Sequence, residues 1–392
     1  MRKRLLSLLF ILSIVEVAQA VKIVYGPYLQ MVGETEASIV WVTDTKALSW
    51  VEIAPDDKMN FYAERRPQFF ETYLGRKVLG TVHKVKLTGL TKGTTYRYRI
   101  FSQEVLEEQD YQITYGAIAS TNVYTKAPLT FRTLDGSQEK VNFFVVNDIH
   151  GDNAKFNALL KEVKKGETDF VLFNGDMVSH MDSEQQMFEG FVTSAVEMFA
   201  SETPFYMVRG NHESRGKFAQ NYMDYFPTPT GLPYYAFKQG PIFFIVMDGG
   251  EDKPDNDIEY LGTAAFDAYR EDEAAWLQEV VASEAFKSAP FRVVVIHVPP
   301  TQSTWHGPLH TKKTFVPILN EAGVDLMLSA HLHRYIYAEP GADGCNFPLL
   351  INSNKHVLDV SADQETMKVV VKDDTGKVEN SYTYRSKRSA AK

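Results

Sequence analysis

The chain has a single cysteine, Cys345, in 392 residues, so it has no internal disulfide and its fold rests on packing. Beside Gly344, that cysteine reads as a loop residue rather than a nucleophile. Past residue 20 there is no apolar run near the ~20 residues that a bilayer-spanning helix needs. Positive charge is not in excess: 41 Lys and Arg against 50 Asp and Glu leave a formal charge of -9, which argues against broad binding to nucleic acid or anionic membrane. Internal repeats and low-complexity tracts are also missing. What remains is an ordinary globular composition, 44% hydrophobic and 23% charged, long enough for two domains with their own cores.

At the start, Arg2-Lys3-Arg4, the apolar stretch from Leu5 to Val15 and the small-residue site Ala18-Gln19-Ala20 form the three parts of a secretory signal peptide. The expectation is removal of residues 1–20 and export, to the periplasm first or else to the surface or medium. No cysteine follows the cleavage site to carry a lipid.

From Val21 to about Leu134 the pattern is one of strands and turns. Ser38-Ile39-Val40-Trp41-Val42-Thr43 is β-branched and aromatic, and Tyr96, Tyr98 and Ile100 alternate with Arg97 and Arg99. Gly89 to Thr94 punctuates the run, which implies antiparallel strands in a sandwich. With Gly26-Pro27-Tyr28-Leu29-Gln30 at the entry and Leu87-Thr88-Gly89-Leu90 before Thr95 to Arg99, this region resembles a fibronectin type III-like module, and more narrowly the N-terminal domain of purple acid phosphatases.

A linker at Leu134-Asp135-Gly136-Ser137 divides residues 21–136 from 137–385, and the periodicity then changes. Strands are expected at Asn142 to Asn147, Asp169 to Asn174, Phe205 to Val208, Ile242 to Met247, Arg292 to Ile296, Val324 to Leu328 and Phe347 to Ile351. Helical spacing links Phe156, Leu159, Leu160 and Val163; Phe188, Phe191, Val192 and Ala195; Trp276, Leu277, Val280 and Val281; and Phe315, Ile318, Leu319 and Ala322. Alternating strands and helices imply a layered α/β domain with its chemistry in loops at strand ends. Asp248 to Gly262 lacks the glycine and terminal glutamate of an EF-hand loop and reads as a solvated acidic insertion, and residues 386–392 read as a mobile tail.

Five clusters follow strand readings in order: Asp148-Ile149-His150, Gly175-Asp176, Gly210-Asn211-His212-Glu213, His297 and His331-Leu332-His333. Nine of the ten histidines lie between positions 150 and 356, and these clusters hold five of them, an enrichment that a structural role alone does not require. Residues i and i+2 on an extended strand end face the same way, so Asp148 with His150, and His331 with His333, are expected to converge. Carboxylates with imidazoles suit zinc, iron or manganese better than magnesium or calcium. Asp176, with two carboxylate oxygens, is suited to bridge two ions; Asn211 offers a neutral oxygen ligand, and His212 a proton for a leaving group.

This order of motifs resembles the calcineurin-like metallophosphoesterase superfamily, and the whole mature chain is similar to its purple acid phosphatase branch. The resemblance implies a C-terminal α-β-β-α sandwich. It implies one ion on Asp148, His150, Asp176 and His333, and a second on Asp176, Asn211, His297 and His331. Asn211, His212 and His306 would meet substrate, a surface histidine being the other reading of His306, with Asp176 and His212 as the catalytic pair. The implied reaction is hydrolysis of a small-molecule phosphate monoester by a hydroxide held between two metal ions, iron, zinc or manganese, with His212 as proton donor. A phosphodiesterase or nucleotide hydrolase on the same site is the alternative, and a non-catalytic exported binding protein the rival from another class. Three positions depart from the branch: His150 replaces Gly, Ser179 replaces the Tyr that colours purple enzymes, and Ala330 replaces Gly before the H-x-H pair. Arg209, Arg215 and Arg334 flank the clusters as phosphate grips or partners of surface acids.

Overall fold

The computed structural model describes residues 20–388, so all but the last residue of the expected signal peptide, and residues 389–392 of the tail, lie outside the described residues. Among the described residues no helix is long and apolar enough to cross a membrane.

The N-terminal unit is organised by one 20-residue strand, Glu36–Pro55. Its first half pairs antiparallel with Ile23–Gln30 and Leu79–Thr88, and its second half with Gln68–Phe70 and Thr95–Gln109. The register slips between Val42 and Ala47, a bulge that bends the strand from one layer into the next. The two layers expected of a sandwich are therefore one continuous seven-stranded sheet folded into a half-barrel. Side-chain alternation explains why Ser38 to Thr43 is apolar on both faces. Ile39 and Trp41 enter the core of this unit, whereas Val40 and Val42 join the core of the next.

That shared core fixes one unit on the other. The Tyr25 ring stacks on Phe188 with centroids 4.1 Å apart, the Tyr28 hydroxyl donates to the Tyr225 carbonyl at 2.9 Å, and the Gln30 amide donates to the Phe205 carbonyl at 2.8 Å.

The C-terminal unit contains two six-stranded sheets. The first runs in spatial order Phe205–Val208, Phe170–Asn174, Val141–Val146, His356–Ala362, Thr366–Asp373, Val378–Arg385; the second Tyr235–Gln239, Ile242–Met247, Phe291–Ile296, Leu326–Ser329, Leu349–Ile351, Ile336–Ala338. Phe143, Phe170, Leu172 and Val208 meet Phe244, Val246, Val293 and Leu328 between the sheets. Asn153–Leu159 and the helical segment from Glu184 to Ala200 cover the outer face of the first sheet; Phe266–Ala282 and His306–Ala322 cover the second. This is the α-β-β-α order that the resemblance implies.

Some details differ from the sequence reading. The first helix stops at Leu159, short of Val163, and the segment after Glu184 contains two five-residue π turns, Phe188–Val192 and Val196–Ala200. Among the described residues of the C-terminal unit five strands, three of them in the consecutive run His356 to Arg385, have no counterpart in that reading. The tail is tied down as far as it is described: Ser386 Oγ donates to the Pro290 carbonyl at 3.0 Å and Arg388 pairs with Asp325 at 2.6 Å.

Candidate metal centre

Parallel strands end side by side, and the loops leaving their C-terminal ends carry all five motifs. The loops are laced together by backbone. Asp148 and His150 donate their amides to the Gly175 and Asp176 carbonyls at 3.0 Å each, and Ala330 donates to the His297 carbonyl at 2.9 Å. The convergence does not come from strand alternation as expected. Asp148, His150, Asp176, His331 and His333 all have positive φ, between 52° and 69°, so left-handed turns beyond the strands aim these side chains. Such conformations cost non-glycine residues energy and cluster at functional sites.

Two groups result. Asp148, His150, Asp176 and His333 each offer a ligand atom within 4.8 Å of the others, and so do Asp176, His297 and His331, with Asp176 common to both. His333 Nε2 lies 3.0 Å from Asp148 Oδ1, His150 Nε2 3.2 Å from His333 Nε2, and His297 Nε2 3.0 Å from Asp176 Oδ2. Asn211 joins the second group, its Oδ1 3.1 Å from His331 Nδ1. His212 stands beside Asp176, with Nε2 3.8 Å from Oδ2, and its Nδ1 donates to the Ser179 carbonyl at 2.6 Å.

The donor set fits two cations. Asp148 Oδ1 and His297 Nε2 are buried yet make no aligned hydrogen bond, a state that costs roughly 1–3 kcal/mol per group and that coordination would relieve. His297 Nδ1 is bonded to the Asn174 carbonyl at 2.6 Å; a carbonyl only accepts, so the proton sits there and Nε2 is left as the ligand atom. Burial opposes an imidazolium at His297, but the Asp176 carboxylate 3.0 Å from Nε2 outweighs it and raises the group to about 10. Burial likewise works to raise Asp176, but His297 and His212 hold it well below the usual carboxylate range. A cation entering here has to displace that proton. His150 is pushed down to about 4 by burial and so presents a neutral ring.

Glycine makes the close approach possible. A Cβ on Gly210 would meet Asp176 Oδ1 at 2.2 Å, and one on Gly175 would meet the His297 ring at 2.4 Å. Behind them Glu213 accepts from the amides of Asp176, Met177 and Gly210 at 2.7–2.8 Å; burial and then the Asp176 charge raise it to about 7.

Comparison with known proteins bears on this arrangement. A model of the calcineurin-like phosphoesterases matches residues 141–335, and a model of the purple acid phosphatase N-terminal domain matches residues 24–140. The chain carries a calcineurin-like metallophosphoesterase domain behind a purple-acid-phosphatase-like N-terminal domain. Purple acid phosphatase 22 of Arabidopsis thaliana is 25% identical over 65% of this chain and 53% of its own length; purple acid phosphatase 18 of the same plant is 21% identical over 79% and 64%. The chain thus spans between about half and two thirds of the length of these curated relatives. Among solved structures, a cold-active protein-tyrosine phosphatase from a Shewanella species matches 92% of this chain and 99% of its own, at 12% identity and a TM-score of 0.31. A score that low says nothing about function.

Within the metallophosphoesterase domain, other expected residues have other partners. His306 is held by Asp267 at 2.8 Å and belongs to neither group. Arg209 is paired with buried Asp248 at 2.6 Å, Arg215 makes two 2.7 Å bonds to Glu251, and Arg334 is exposed. The acidic insertion needs correction at its start: Asp248, Glu251 and Asp252 are buried, and only the stretch from about residue 256 is largely exposed. Glu251 and Asp252 lie directly behind Asn211 and His331, within 3.4 Å of each. Two adjacent acids in a Gly-Gly-Glu-Asp loop look like a solvated turn, and only the tertiary fold shows that they are covered.

Proposed function

We propose that this protein is an exported phosphatase that hydrolyses small phosphate monoesters on a two-metal centre, and that Asp148, His150, Asp176, His333, Asn211, His297 and His331 hold the ions. The observation that carries this reading is Asp176, a buried carboxylate common to both ligand groups, with His212 beside it. When bound, two cations of the zinc, iron or manganese kind would neutralise phosphoryl oxygens and make water a competent nucleophile near neutral pH. The chain's own part is positional. Asp176 aligns the two groups, and Glu213 holds the Asp176 loop by its amides. The Ser179 carbonyl turns the His212 ring so that Nε2 faces the site, from where it hands its proton to the departing alkoxide. Asn211 supplies its oxygen to the centre from the same turn. His306, engaged by Asp267, enters none of these steps.

The relatives named as purple acid phosphatases favour a monoester. A diester or nucleotide substrate is the second reading, favoured by a cleft of about 740 Å³ next to the His212 turn, lined by His180, Ser214, Arg215, Tyr260 and Tyr269, with room for a second substituent. Turnover of nitrophenyl phosphate against bis(nitrophenyl) phosphate, each with a chelator control, tests the two. Preference for the monoester with loss on chelation is expected; equal turnover with chelator present would refute the metal mechanism. Export rests on the Arg2 to Ala20 segment, and the N-terminus of the mature protein, expected at Val21, tests it.

A further inference from the structure

The geometry points to Glu251 and Asp252 as a pair of positioning residues that select, for one of the two ions, which atom of Asn211 and which nitrogen of His331 it meets. This inference rests on the two-metal reading of the site and adds residues that none of the motifs contain.

Asn211 presents a chemically ambiguous ligand, because its amide has an oxygen that can coordinate and a nitrogen that cannot. Glu251 resolves the ambiguity: an ionised carboxylate only accepts, so the amide nitrogen turns to it, at 3.4 Å from Oε1. The amide oxygen is thereby aimed at the centre, 3.1 Å from His331 Nδ1. His331 has the corresponding ambiguity between two nitrogens. Asp252 Oδ2 stands 3.4 Å from Nε2, on the far side of the ring from Asn211. The Asp252 carboxylate, a charged acceptor, draws the proton to Nε2 in competition with the neutral Asn211 oxygen that faces Nδ1, and so favours the tautomer whose Nδ1 lone pair can take an ion, the arrangement by which a carboxylate orients a metal-binding histidine. One dipeptide thus sets two ligands of one ion.

The pair is built so that it cannot swing away. Glu251 is fully buried and Asp252 6% exposed. Arg215 grips Glu251 through Nε and a terminal nitrogen at 2.7 Å each, and the Tyr260 hydroxyl donates to it as well. Behind the loop, Arg270 donates to the Gly249 carbonyl at 2.8 Å and to the Glu251 carbonyl, and the Gly307 amide donates to the Asp252 carbonyl at 2.8 Å. A Cβ on Gly307 would meet the Glu251 carbonyl oxygen at 2.2 Å, so the helix beginning at His306 closes on this loop at backbone contact. Asp267, the partner of His306, also holds Arg270 at 2.8 Å, which makes His306 part of the brace.

The test uses full-length mature protein stripped of metal and titrated with Zn²⁺ alone, for wild type, Asp252→Ala, Asp252→Asn and Glu251→Gln. Wild type is expected to take two ions. Asp252→Ala should weaken one of the two by about 10–100-fold, leave the other within about twofold, and melt near wild type in the metal-free form. Asp252→Asn, which keeps an acceptor, should recover part of that loss. Nitrogen NMR of the metal-free protein gives a readout independent of metal: the Nε2-protonated tautomer of His331 should be more populated in wild type than in Asp252→Ala, where only the Asn211 oxygen remains and the proton moves to Nδ1. Glu251→Gln guards against a single misleading variant and should weaken the same ion. Two tight zinc sites in a folded Asp252→Ala with an unchanged His331 tautomer overturn the proposal while leaving the two-metal reading intact. Wild-type protein that binds no zinc overturns both.

Discussion

Each half of the centre adds two histidines and one oxygen-bearing side chain to the shared Asp176, a carboxylate at Asp148 and a neutral amide at Asn211, and the two halves are set in the protein differently. In the half made by Asp148, His150 and His333, the carboxylate is fully buried but the rings are only partly covered: the His150 side chain is 21% exposed and that of His333 46%. Among the described residues neither ring has a hydrogen-bond partner on its other nitrogen. In the half made by Asn211, His297 and His331 the corresponding exposures are 1% for Asn211 and His297 and 16% for the His331 side chain, and every ligand is steered from behind by Asn174, Glu251 or Asp252. Ligands braced in this way lose less freedom when a cation arrives, and their lone pairs already face inward. The difference teaches that one ion should belong to the scaffold and the other should exchange with solution.

The severest way to break this comparison is to remove the residue common to both halves. Asp176→Asn should lose both ions together and reduce phosphatase turnover by at least roughly 10³-fold, the scale of lost charge stabilisation in a transition state; elemental analysis showing one retained ion would mean that Asp176 serves a single half. His212→Asn should keep both ions and slow esters of poor leaving groups by roughly 10²–10⁴-fold, with a smaller effect on nitrophenyl esters. Equal slowing of both substrates would remove its proton-donor role.

Graded chelation sharpens the comparison directly. The exposed half should empty first, at a chelator strength about 10–100-fold lower, and His333→Ala should abolish that step while His297→Ala abolishes the other. Simultaneous loss of both ions in wild type would contradict the difference in bracing.

Smaller still is the effect of pH on the metal-free protein. His297 is raised from 6.5 to about 10, so its stabilising contribution is complete below pH about 6.5 and disappears as pH climbs through about 10. Glu213, raised from 4.5 to about 7, acts in the same direction at lower pH, because its burial disfavours the anion. Tm of the metal-free protein should therefore fall by several degrees between pH 6 and 10, and His297→Asn should flatten the upper part of that fall. The faintest expected signal is spectral: with Ser179 where purple enzymes have tyrosine, iron-loaded protein should show no tyrosinate charge-transfer band in the visible.

Much of this was legible in the residues because burial and period are local properties. Phe205 to Val208 and Ile242 to Met247 are strands at the expected residues, since continuous apolar runs of that length have few other uses. The five clusters were visible because each follows such a run. The direction of the ligands was not, since the left-handed turns at Asp148, His150, Asp176, His331 and His333 leave no mark on residue type; none of them is a glycine. Nor was the contrast between two buried histidines. His83 in the N-terminal unit and His297 in the centre are both covered, but His83 has a hydroxyl beside it and burial pushes it down to about 3, whereas the Asp176 carboxylate lifts His297 to about 10. Partners from distant segments decide that difference. The same holds for Glu251 and Asp252, whose local composition signals solvent and whose neighbours come from positions 211, 215, 260, 270 and 331.

The most direct test is anomalous diffraction from crystals of the protein grown with manganese or zinc. Two anomalous peaks are expected, one touching Asp148, His150 and His333, the other Asn211, His297 and His331, with an oxygen of Asp176 on each. A single peak, or two peaks of which one lies away from Asp176, would contradict a centre assembled around that carboxylate.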